Sequence, residues 1–96
     1  MTNTAAAQSF TADAQAIIDD IEMRLGRFNA TAKLAPNAFG GFDVRAPFGG
    51  WVRVAKDDAD WIIYILDANK AVHGSQRLSG CFALLDGVAA QVAVLL

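Results

Sequence analysis

The hydrophobic spacing of this chain changes from a period near 3.6 to a period of 2 between residues 28 and 42, which requires a helix followed by strands. Phe10, Ala14, Ile17, Ile18, Ile21, Leu25 and Phe28 recur at offsets of 4, 7, 8, 11, 15 and 18, one face of a helix. Ser9 or Thr11 supplies an N-cap oxygen, Asp13 complements the first turn, Arg24 and Arg27 suit the last, and Gly26 marks the end. Asp13, Asp19, Asp20 and Glu22 form an acidic, solvated opposite face. Beyond residue 42, Phe42, Val44 and Ala46 alternate with Asp43 and Arg45, and Val52 and Val54 alternate with Trp51 and Arg53. Two half-buried strands joined through Pro47-Phe48-Gly49-Gly50 follow from that pattern.

The run Trp61-Ile62-Ile63-Tyr64-Ile65-Leu66 is apolar on both faces and predicts a central strand. Ala30 to Ala35, before Pro36-Asn37, is a weaker candidate edge strand, and Ala71 to His73 a candidate start of another after the Ala68-Asn69-Lys70 turn. In the last stretch Asp86-Gly87 suits a hairpin turn, but Leu84, Leu85, Val88, Val92, Leu95 and Leu96 keep near-helical spacing in an alanine-rich run, which favours a helix. The expected fold class is α+β: an antiparallel three- to four-stranded meander covered on one face by an N-terminal and a C-terminal helix, in α-β-β-β-α order. Residues 1–8 read as a flexible lead and residues 9–96 as one domain.

A hydrophobic fraction of 54% against 19% charged is enough for a packed core, although much of the apolar share is alanine, which buries little area. A thin core in so short a chain is often completed by a second copy or another partner. The net charge of −2 argues against nucleic acid, whose backbone demands a basic excess. A single cysteine, Cys81, forms no internal disulfide, and the N-terminus carries neither basic residue nor apolar core, so a cytoplasmic location is expected. The most apolar stretch, Cys81 to Leu96, is too short and too interrupted to span a membrane.

Period-2 bookkeeping sends Phe42, Val44, Val52 and Val54 toward the helices, and Asp43, Arg45, Trp51 and Arg53 to the other side, where Tyr64 joins them. Arg, Trp and Tyr are the residue types that dominate contact hot spots, so this face is a candidate partner-binding surface. The competing interpretation is internal: Arg45 and Arg53 pair with Asp43 and stack on Trp51 across the strands. A short echo, Phe39-Gly40-Gly41-Phe42 and Phe48-Gly49-Gly50-Trp51, either presents Phe48 and its counterpart as contact anchors or merely turns the chain at the two ends of one strand. Asp57, Asp58 and Asp60 make an acidic tip. A calcium loop beginning at Asp57 would need glycine at its sixth position, where Ile62 stands, so a solvated turn or a contact to a basic partner is expected instead.

Catalytic, metal and cofactor motifs are not found in the sequence. His73 and Cys81 are the one available base and nucleophile pair; Cys81 opens an apolar run as a small core residue would, and His73 lies beside Gly74 and Ser75. The paired glycines lack the lysine and the strand-to-helix setting of a phosphate loop. The expectation is therefore a non-enzyme with no cofactor.

The α-β-β-β-α order resembles the double-stranded-RNA-binding domain, which meets phosphates with lysines at the start of its last helix. Ser79 to Val88 contains no lysine or arginine and includes Asp86, so the resemblance covers topology alone. In size, acidity and absence of catalytic residues the chain is also similar to the small inhibitors encoded by phages and mobile elements, anti-CRISPR proteins among them, a class without a shared motif. The functional expectation is a protein-binding module, an inhibitor or adaptor, contacting its partner through Arg45, Trp51, Arg53, Tyr64, Phe48 and the acidic tip. Two alternatives are a homo-oligomer, such as a homodimer, that buries the open sheet face against its own copy, and a single-stranded nucleic-acid binder using the same aromatics.

Overall fold

The computed structural model describes residues 10–26, 34–80 and 84–96. Seven elements follow one another: α1 (Ala12–Leu25), β1 (Leu34–Pro36), β2 (Phe42–Arg45), β3 (Trp51–Asp57), β4 (Asp60–Leu66), β5 (Val72–Leu78) and α2 (Leu84–Leu95). The strands form one antiparallel sheet in the order β1-β2-β3-β4-β5. The α+β meander between two helices stands as expected, with five strands rather than three or four. The added strands are the edges: β1 includes Pro36, and β5 runs a full seven residues. Their sequences, Leu-Ala-Pro and Val-His-Gly-Ser-Gln-Arg-Leu, alternate poorly because an edge strand is held by one neighbour and buries little. Consequently β4 is interior, as its apolar faces predict, but β3 is the middle strand.

Thr11 is the cap of α1: its hydroxyl oxygen accepts from the Ala14 N–H at 3.1 Å and its O–H donates to the Gly40 carbonyl at 3.2 Å, tying the helix to the β1–β2 loop. The helix ends at Leu25, where Gly26 turns with a φ of 86°. Ala14, Ile17, Ile18 and Ile21 of α1 join Val88, Ala89 and Val92 of α2 over Phe42, Val44, Val52, Val54, Trp61 and Ile63, which makes the core. The helices also meet each other, with the Arg24 guanidinium 2.6 Å from Asp86. The proposed lead 1–8, the alternative cap Ser9, Arg27 and Phe28 at the end of the helical stripe, the first part of the Ala30–Ala35 stretch, and Cys81 lie outside the described residues.

Asp57 and Asp60 face each other across the two-residue loop Asp58-Ala59 and so exchange ladder hydrogen bonds. Alternation from that point aims the backbone groups of Trp61, Ile63 and Ile65 at Leu78, Gln76 and Gly74 of β5. The same phase is seen beyond β4, where the Asp67 N–H donates to the Ala71 carbonyl at 2.9 Å. The backbone groups of Ser75 and Arg77 therefore point away from β4, along the outer edge.

Candidate functional site

The register settles which side chains share the face away from the helices. Arg45 lies opposite Trp51, which lies opposite Leu66; Asp43 lies opposite Arg53, which lies opposite Tyr64; Ala55 lies opposite Ile62. The helix-side core contains none of these residues. Among the described residues no helix or strand covers this face.

Two interlocking clusters occupy it. The first is built on Asp43, the buried charged residue of the sheet, with 4% of its surface exposed. Asp43 Oδ1 accepts from Arg53 Nε at 2.9 Å and from Asn37 Nδ2 at 3.0 Å; Oδ2 accepts from Arg53 Nη2 at 2.9 Å and from Lys70 Nζ at 3.3 Å. Burial pushes this carboxyl up, but the hydrogen bonds from Arg53, Asn37 and Lys70 and the Arg53 charge outweigh burial and hold it below the usual carboxylate range. Arg53 in turn lies over the ring of Phe39, 5.3 Å from its centroid. The second cluster is a cation–aromatic stack: Arg45 sits 5.3 Å and Lys70 4.3 Å from the centre of Trp51. Lys70 belongs to both clusters and reaches the face from the β4–β5 turn.

The expected residues thus divide by what they have left to offer. Arg53 is spent on Asp43, the internal interpretation of that arginine. Arg45 is exposed and, among the described residues, has no carboxylate partner; Trp51 is half-buried opposite it, and Tyr64, also half-buried, lies on β4 opposite Arg53. Phe48 is 53% exposed and stands at the end of the sheet, over a recess of about 320 Å³ bordered by Gly50, Leu66, Asp67 and His73. Two carboxylates of the acidic tip share one cation: Arg77 donates to Asp60 at 2.9 Å and to Asp57 at 2.7 Å, while Asp58 is exposed at the turn, so the tip keeps a net negative charge. His73 pairs with Asp67, at 3.1 Å. Among the described residues no group of three His, Cys, Asp or Glu side chains is placed to hold a metal ion.

No family model, curated protein or solved structure matches the chain.

Lys70, Asn37 and Arg77 were not among the expected site residues. Lys70 carried one legible signal: it ends a turn at the place where the two echoed loops hold glycine. Asn37 and Arg77 carried none, because both act across sequence distances that spacing does not reveal.

Proposed function

We propose that this chain is a non-enzymatic, cytoplasmic protein-binding module, an inhibitor or adaptor, that docks through the uncovered sheet face. The observation that carries the proposal is the Arg45–Trp51–Lys70 stack, in which Arg45 meets no carboxylate among the described residues: rigid aromatic area with an available cation at its rim is the composition that concentrates binding energy in a few residues. A complementary partner presents a carboxylate to Arg45 and an aliphatic or aromatic side chain to Trp51 and Phe48. The Asp43 cluster beneath serves as the rigid floor that holds Trp51 and Arg53 in place. Asp58, free at the turn, adds a negative rim.

The test is capture from native lysate by wild type and by the Arg45→Glu, Trp51→Ala double variant. Arg45 and Trp51 face away from the core, so the double variant is expected to keep its circular dichroism spectrum and its cooperative melt while losing the proteins retained by wild type. Retention of the same proteins by a folded double variant contradicts the proposal.

A further inference from the structure

The two edges of the sheet are treated very differently. Edge β1 closes on Pro36, whose missing N–H discourages another strand from adding. Edge β5 is seven residues long, has no proline and no lysine, and is exposed along most of its length. Its Ser75 and Arg77 backbone groups point outward, and among the described residues nothing pairs with them. The helix layer also stops short on this side: between α2 and β5 runs a groove of about 280 Å³ whose walls include Ile63, Ile65, Gly74, Gln91, Val94 and Leu95, and Val94 is 82% exposed.

We propose that β5 pairs with β5 of a second copy of this chain, antiparallel about a two-fold axis through Gln76, to make one continuous ten-stranded sheet. Three observations select a second copy. First, α2 lies over β4 and β5, touching both. Strands spaced by ~4.8 Å then place the two α2 helices ~10 Å apart, the ordinary distance of packed helices, with Val94 and the groove between them. Second, a two-fold axis perpendicular to the sheet keeps both helix layers on one side only when residues of like parity oppose each other. Centring on Gln76 satisfies this, and the outward Ser75 and Arg77 groups each find their partner in the other copy. Third, side chains fit in that register: Gly74 opposes Leu78, small against large, the two Gln76 amides meet on the axis, and Ser75 opposes Arg77. Centring on Ser75 instead sets Arg77 against His73, an inferior pairing. This interface uses the sheet edge and leaves the face bearing Trp51 free, so it is independent of the docking proposal.

Sedimentation equilibrium of the full chain at about 100 µM is expected to give twice the 10.2 kDa chain mass. Ser75→Pro removes an N–H that β4 does not use, so the variant is expected to sediment as a folded monomer. With the native thiol removed by Cys81→Ser, Gln76→Cys is expected to form an inter-chain disulfide on mild oxidation, because the residue meets its own copy at a close, non-hydrogen-bonded pair. Ser75→Cys, which faces Arg77 instead, is expected to cross-link far less. A monomeric wild type overturns the proposal, as does a dimer in which Ser75→Cys links as readily as Gln76→Cys. The cysteine pair decides the matter even if the proline variant does not fold.

Discussion

Lys70 adopts a φ of 66°, a region that disfavours side chains with a Cβ. The corresponding residues of the two other five-residue loops are Gly40 and Gly49, at 80° and 95°. The lysine is kept at that position by what its amine reaches, the Trp51 ring and Asp43. Left-handed backbone costs a non-glycine residue ~1 kcal/mol, and an exposed cation–aromatic contact returns about as much. Lys70→Gly is therefore expected to leave stability within ~0.5 kcal/mol of wild type, whereas Lys70→Ala, which keeps the strain and loses the contact, costs ~1 kcal/mol. Urea unfolding of the two variants measures the difference, and equal losses would show that the backbone stores no strain there.

The unit that organises the sheet is a five-residue connection used three times. Asn37, Ala46 and Asp67 each donate their N–H to the carbonyl four residues on, Gly41, Gly50 and Ala71, and the residue before that carbonyl has positive φ. Asn37 and Asp67 add the same support: each side-chain Oδ1 accepts two backbone N–H groups of its loop. The repeated Phe-Gly-Gly is thus two copies of this turn, at the two ends of β2. The second glycine of each copy lies against a neighbouring strand, since a Cβ at Gly41 would stand 1.9 Å from the Val54 carbonyl oxygen and one at Gly50 2.1 Å from that of Leu66. Backbone atoms cannot yield as a flexible side chain does, so Gly41→Ala and Gly50→Ala are each expected to cost more than ~3 kcal/mol. Gly87→Ala, in the interior of α2 with open space around it, is expected to stabilise by ~0.5–1 kcal/mol. Chemical denaturation of the three variants checks this ordering.

At the scale of the molecule, acid is the condition that removes the carboxylate pairs of the open face and of the β4–β5 turn. Asp43 and Asp67 both titrate below the ordinary carboxylate range, Asp67 chiefly because the Ala71 N–H and His73 bond to it. Each binds a proton less readily folded than unfolded, so its stabilising contribution is complete above about pH 4 and is lost as the pH falls below that value. The melting temperature is expected to fall on acidification below about pH 4. Asp43→Asn is expected to be less stable at neutral pH and to show a shallower acid limb, because the group that drives it has been removed. An unchanged limb in Asp43→Asn would place the acid sensitivity elsewhere.

Phe42, Val44, Val52 and Val54 on one side and Arg45, Trp51 and Arg53 on the other were legible from the period of 2 alone, since successive strand side chains must point to opposite faces. The α1 stripe, a cap at Ser9 or Thr11 and the helical character of residues 84–95 were legible for a similar local reason, and the structure selects Thr11. The extent of β5, the pairing of Arg77 with two carboxylates of the acidic tip, and the placement of Lys70 and Asn37 on Asp43 were decided only when the meander brought distant residues side by side. Periodicity is set by the backbone geometry of each segment and is written along the chain. Which cation meets which carboxylate is set by the order of strands across the sheet, a relation between segments that no single stretch of sequence contains.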